Sequence, residues 1–168
     1  LIAAGIAQPG KIGITGTSYG GYSSWWAATH LRLGLVAASA PICGMTDLVI
    51  DYETTRPDLR AYSAEMMGGT PAQVPEQFAQ RSPINFVENI RGKLLIIQGG
   101  QDPNVTPQNV ETVVKSLNQH GIPFELLNFE NEGHGIYKVE NQRTLFLRLV
   151  NFFEEAFLDT NSDAGLAH

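Results

Sequence analysis

Three short stretches of this sequence carry residue types that together could perform acyl transfer. Residues 16–20 read Gly-Thr-Ser-Tyr-Gly, residues 99–102 read Gly-Gly-Gln-Asp, and residues 133–135 read Gly-His-Gly. A serine hydroxyl is a weak nucleophile at its ordinary pKa and needs a positioned base. That base in turn needs an acid to orient it and to stabilise its protonated form. The G-x-S-x-G pattern presents a nucleophile when a strand precedes it and a helix follows, because a sharp turn with a strained serine leaves no room for flanking side chains. Both conditions hold here: IGITG runs into Ser18, and Tyr22, Trp25, Trp26 and Thr29 follow at helical spacing. The competing reading is structural, a glycine turn that lets a helix pack closely on its strand.

Of the four histidines, His30 lies in the helix after the turn and reads as a packing or surface residue. His120 precedes Gly121 at a helix end, where a basic group suits the helix dipole, and His168 is the last residue. His134 sits between two glycines just beyond a strand-like run, where a loop can carry it into a cleft. For the acid, Asp102 directly follows KLLIIQGG, and Asp47 competes from the end of an earlier run, APICGMTD. The Gly99-Gly100 approach and the immediate restart of a helix favour Asp102. The resulting chain order, Ser18, Asp102, His134, is that of α/β-hydrolases.

The elements that must position these residues are legible as alternating patterns. Runs at 12–16, 35–41, 93–100 and 123–129 read as strands, giving a parallel sheet of about four strands flanked by helices, in the α/β class. Val110, Val113, Val114 and Leu117 form the stripe of an amphipathic helix, with Thr106 as N-cap, Pro107 in the first turn and Gly121 as the stop. Phe146, Leu149, Val150, Phe153 and Phe157 predict the packed face of a last helix. The interval 42–92 predicts short helices broken by prolines and a Gly-Gly turn, lying over the site. Residues 1–10 read as the last turns of a helix ending at Pro-Gly, and 159–168 as a frayed tail.

With 168 residues and 43% hydrophobic content, the chain can bury a core of one ordinary domain. A net charge of −6 without a Lys/Arg run argues against a nucleic-acid surface, and no stretch is apolar for long enough to span a membrane. The single cysteine, Cys43, excludes an internal disulfide and reads as a small buried residue. Asn104-Val105-Thr106 fits a glycosylation sequon, but a glycan there would block Asp102. Glu130 and Glu132 lack metal-ligand spacing and read as a solvated loop, so no metal and no cofactor are expected. Trp25 and Trp26 read as packing residues on one helix face.

GKIGITGTSYGGY, LLIIQGGQDPNVTPQNV and FENEGHGI, with EMMGG and RSPINFVENI between them, resemble the catalytic domain of the prolyl oligopeptidase family of serine peptidases. The resemblance runs from Leu1 to about Leu158, so residues 1–158 are expected to form the C-terminal portion of an α/β-hydrolase catalytic domain. It implies Ser18, Asp102 and His134 as nucleophile, acid and base. It also implies Tyr19 as a backbone oxyanion donor and Asn104, Val105, Ile42 and Tyr52 as substrate-binding residues. Met45 and Leu48 stand where rings would be expected, which favours an acylaminoacyl-peptidase-like or broader preference over strict proline selection. Family members carry an N-terminal β-propeller and further sheet strands, so a missing N-terminal part of the parent chain is implied as a partner. That part would also bring one oxyanion donor. Strand 12–16 would then be an exposed edge here, open to self-association.

The leading expectation is a peptidase acting on short peptides through an acyl-enzyme. A carboxylesterase on the same fold is an alternative, as is a non-catalytic assembly module or inactive fragment. The family and the single cysteine lean toward the cytoplasm.

Overall fold

A computed structural model of the chain describes residues 1–159. Four strands, β1 (Gly13–Thr17), β2 (Ala38–Ile42), β3 (Lys93–Gly99) and β4 (Glu125–Phe129), form one sheet in the order β1-β2-β3-β4, and every neighbouring pair is parallel. Parallel neighbours need crossovers, and helices supply them: α1 (Tyr19–His30) links β1 to β2, and α5 (Pro107–Gln119) links β3 to β4. Between β2 and β3 lie α2 (Leu48–Thr54), α3 (Pro57–Met67), α4 (Pro75–Arg81) and a 3₁₀ helix, Pro83–Asn89. Helix α6 (Val139–Asp159) follows β4 and is the last element among the described residues.

The period of two along β3 builds two cores at once. Leu94 and Ile96 face Trp25 of α1 and Val113 and Leu117 of α5, whereas Leu95 and Ile97 face Leu145, Phe152 and Ala156 of α6. All five residues of β2 are buried, and its small side chains let helices approach both faces. Ser39 remains satisfied there by donating to the Ser24 carbonyl at 2.9 Å. The insertion obeys local chemistry: α3 and α4 each begin with proline in the first turn, and α3 stops at Gly68 in the left-handed region, φ 78°. Thr106 and Pro107 begin α5 as expected, although the Thr106 hydroxyl pairs with Thr54 instead of capping its own helix.

Three expectations change. Residues 1–10 form turns, with Gly5 at φ 69°, because so few residues cannot hold a helix alone. The packed face of α6 is rotated: Leu145, Phe152 and Ala156 are buried, Leu149, Phe153 and Phe157 are half-buried, and Phe146 and Val150 are 59% and 55% exposed. LFLRLVNFF is apolar nearly all round, so its pattern permits more than one face, and the shape of the sheet selects among them. Trp25 and Trp26 also diverge, Trp25 into the core and Trp26 onto the ring of His30 at 3.5 Å. Residues 160–168, most of the expected frayed tail, lie outside the described residues. Among the described residues no helix is long and apolar enough to cross a membrane.

The rotated face predicts unequal costs for two phenylalanines on α6. Phe152→Ala removes a fully buried ring and is expected to cost about 3–5 kcal/mol. Phe146→Ala is expected to stay within about 0.5 kcal/mol. Urea unfolding of the two variants checks this, and equal losses would restore the face read from periodicity.

Candidate active site

The carboxyl ends of β1, β3 and β4 carry the three chemical residues to one place. Ser18 joins β1 to α1 with φ 61° and ψ −116°, a conformation that costs a non-glycine residue about 1–3 kcal/mol. Its surroundings hold it there. The Ser18 N–H donates to the Ile42 carbonyl at 2.9 Å, and the Ser18 carbonyl accepts from Tyr22 N–H at 2.9 Å. A Cβ at Gly16 would lie 2.8 Å from the Gly20 backbone, and one at Gly21 would lie 2.6 Å from the Ile42 oxygen. A Cβ at Gly20 would meet open space, so the close approach there depends on the bare Cα of Gly16.

Glycines also bring the other two residues together. A Cβ at Gly99 would collide with the Gly133 carbonyl, and one at Gly100 would lie 2.8 Å from Glu130 Cα. The loop 130–134 therefore rests directly on the end of β3, tied by Gln101 N–H to the Glu132 carbonyl at 2.8 Å. His134 Nε2 lies 2.7 Å from Ser18 Oγ, and His134 Nδ1 lies 2.8 and 3.0 Å from the two Asp102 oxygens. Asp102 is 3% exposed, and its Oδ1 also accepts the backbone N–H groups of Asn104 at 2.8 Å and Val105 at 3.0 Å. Those bonds hold a buried carboxylate with its charge directed at the imidazole.

The competing residues have other partners. Asp47 caps α2, accepting from Val49 and Ile50 N–H. His30 pairs with the Thr29 hydroxyl at 2.8 Å, and burial lowers its pKa. His120 ends α5, its Nδ1 2.9 Å from the Ser116 carbonyl. His168 lies outside the described residues. Glu132 corrects the solvated-loop reading. It is 4% exposed and accepts from Lys138 N–H and Asn141 Nδ2, both at 2.8 Å, which braces the His134 loop. Burial opposes its ionisation, but the bonds from Asn141 and the Lys138 backbone outweigh that and hold its pKa below the usual range.

A profile of the prolyl oligopeptidase family matches residues 1–160. The chain belongs to that family. An uncharacterized peptidase of Bacillus subtilis, YtmA, is 32% identical over 133 residues, 79% of this chain and 51% of that protein. Dipeptidyl aminopeptidase BIII of Pseudoxanthomonas mexicana is 28% identical over 161 residues, 94% of this chain and 22% of that protein. A puromycin-hydrolyzing peptidase of Mycobacterium tuberculosis superimposes with a TM-score of 0.86 at 26% identity, over 92% of this chain and 23% of its own. The four parallel strands and flanking helices match the α/β-hydrolase fold of these peptidases. The chain spans about half the length of YtmA and less than a quarter of the other two.

Beside the Ser18–His134 pair of this family member lies a cleft of about 310 Å³, roofed by the helices inserted between β2 and β3. Tyr19, whose N–H begins α1 without an intrahelical acceptor, stands at its rim with Asn104. Met45 and Leu48 line it too. Rings reach it from unexpected places, Tyr22 on α1, Tyr62 on α3 and Phe78 on α4. Ile42, Val105 and Tyr52, expected at the pocket, are not among its walls. Register turns Ile42 into the α6-side core. Val105 is 3% exposed with its N–H on Asp102, and Tyr52 sets its ring against Phe78 and under the Arg60 guanidinium.

Two further groups lie close to the site, Cys43, buried as expected, and Asp51, which the sequence did not single out. Cys43, at φ 47° and fully buried, has its thiol pushed up to about 11, mainly by burial. Its Sγ, with the ligating atoms of Asp102 and His134, forms a group within 4.8 Å, but the protonated thiol and the His134–Asp102 bond leave little donor capacity for a metal. Asp51, in the middle of α2, is 8% exposed and lines the cleft. Burial raises its pKa to about 7, Asp102 and Asp47 add to the rise, and His134 opposes it. Between about pH 4 and 7 the folded chain therefore holds a proton on Asp51 that the unfolded chain releases, so this residue's contribution to stability falls as pH rises through that window. Asp51→Asn removes the dependence. Its melting temperature relative to the parent is expected to rise from pH 5 to pH 8, by an amount corresponding to a few kcal/mol. A difference independent of pH would refute the shift.

Proposed function

We propose that this chain carries the catalytic triad of a serine peptidase acting on short peptides, without a cofactor. The observation that carries the reading is the continuous path Ser18 Oγ–His134 Nε2 and His134 Nδ1–Asp102, at 2.7 and 2.8 Å, in a member of a peptidase family. Ser18 Oγ attacks the substrate carbonyl while His134 Nε2 takes its proton. Asp102 holds the imidazole in register and balances the imidazolium. His134 then returns the proton to the leaving amine, and an acyl-enzyme on Ser18 remains for water to hydrolyse, with His134 again the base. The Tyr19 N–H is one donor to the oxyanion. A second donor comes from outside these residues, and lacking it costs on the order of 10²–10³ in kcat.

Fluorophosphonate labelling with mass mapping tests this on both the 168-residue chain and the full-length polypeptide that contains it. The label is expected on Ser18 and is expected to vanish in Ser18→Ala and His134→Ala. On the full-length polypeptide, Ser18→Ala is expected to lower kcat for an aminoacyl-anilide by at least about 10⁴. No labelling of either polypeptide would overturn the assignment.

The free backbone edge of β1 is the second element of the proposal. We infer that it pairs with further strands of the parent sheet, or in their absence with another copy of this chain. The isolated chain is therefore expected to self-associate in sedimentation runs across a wide concentration range, and a monodisperse monomer would exclude this.

A further inference from the structure

Among the described residues, Asp51 is the one buried carboxylate lining the cleft that the proposed chemistry leaves unused. Its Oδ1 is sealed from solvent and no donor reaches it. No arginine donates to Asp51 among the described residues, although Arg60 Nε is also buried and without a partner. Arg81, on the cleft wall, directs its guanidinium to Met67 Sδ at 3.5 Å, and Arg60 on α3 donates to the carbonyls of Glu53 and Thr55 at 2.8 and 3.3 Å. The ionisable groups whose charges act on Asp51 are two acids, Asp102 and Asp47, and His134. Asn104 Oδ1 is a second acceptor at the same cleft that is buried and without a partner. An unpartnered buried carboxylate is costly, and Asp47 already caps α2, so Asp51 has no structural duty on its own helix. The remaining walls are largely apolar, with Leu48, Leu59, Met67 and Phe78. Apolar walls with a buried carboxylate suit a group with a hydrocarbon stem and a head rich in N–H donors.

We propose that Asp51 is a specificity-determining residue whose carboxylate receives an ammonium or guanidinium group of the substrate, beside the acyl group held over Ser18. Two parts of a peptide offer that chemistry: the side chain of a lysine or arginine on the acyl side of the scissile bond, or the free α-amine of that residue. The charge is complementary, and the cation supplies the donors that Asp51 and Asn104 lack. The inference rests on the serine-peptidase reading only in treating this cleft as the substrate's, so its test includes a readout that needs no turnover.

In the full-length polypeptide, anilides of N-acetyl-lysine and N-acetyl-norleucine, which differ in the side-chain ammonium, are compared with the anilide of norleucine bearing a free α-amine. A cationic substrate is expected to exceed its neutral counterpart in kcat/KM by at least about tenfold. That ratio is expected to fall toward one in Asp51→Asn and in Asp51→Ser, both checked for an unchanged fold by circular dichroism. Preference for N-acetyl-lysine assigns the side chain as the source, and preference for the free-amine norleucine assigns the α-amine. Independently, n-butylammonium is titrated into the Ser18→Ala protein by calorimetry, with n-butanol as control. Binding is expected to weaken at least about tenfold when Asp51→Asn is added. Asp51-dependent binding without anilide turnover or Ser18 labelling would support the cation site while sinking the triad. Turnover with ratios indifferent to Asp51, or butylammonium binding no better than butanol, would overturn the cation site and leave the triad standing.

Discussion

Backbone must touch backbone at the carboxyl end of this sheet for a serine, a histidine and an aspartate from three separate connections to come within 2.7–3.0 Å of one another. Three close approaches achieve it. Gly16 meets Gly20 around the serine turn, Gly21 meets Gly44 where α1 passes the end of β2, and Gly99 meets Gly133 where the histidine loop crosses β3. Any side chain at Gly16, Gly21, Gly44 or Gly99 would force these loops apart. The strain on Ser18 is tolerable for the same reason. The Ile42 carbonyl that accepts its N–H belongs to the fully buried strand β2, whose position the two cores on either side of the sheet determine.

Two buried carboxylates near the cleft show how environment divides labour between identical side chains. Asp102 has two backbone donors and an imidazole, so its charge is satisfied and aimed. Asp51 has an oxygen that no donor reaches, so burial makes its charged form expensive. Glu132 is a third solution: a buried carboxylate satisfied by Asn141 and the Lys138 backbone, which shapes the histidine loop without facing the cleft. The inserted segment 43–92 thus does more than cover the site. It supplies most of the cleft wall, rings included, and the charge that the wall hides.

The residues most exposed to chemical reasoning were legible from sequence because each carries a local signature. Ser18 sits in a five-residue pattern with a strand before and a helix after, and Asp102 and His134 each follow a strand-like run beside glycines that have no other evident purpose. Family resemblance pointed to the same three positions and to the observed sheet, and of the four substrate-binding residues it implied, one lines the cleft. Asn104 reaches the cleft, whereas Ile42, Val105 and Tyr52 turn to the core or to Phe78, because a position in an alignment does not say which way a side chain points once strand register and helix phase are set.

What the sequence determined by itself was the alternation of strands and helices, the chain order of Ser18, Asp102 and His134, and several places where a side chain would not fit. These are encoded in neighbouring residues, through periodicity and backbone freedom. What only the tertiary structure decided was burial among residues that look alike locally. Asp47 and Asp51 stand one helical turn apart in DLVIDYE, yet one caps a helix and the other is sealed beside the cleft. Phe146 and Phe152 lie six residues apart in one largely apolar stretch, yet one faces outward and the other fills the core. Burial depends on what arrives from distant parts of the chain, and that is why neither choice could be read before the sheet, its helices and the inserted segment were seen together.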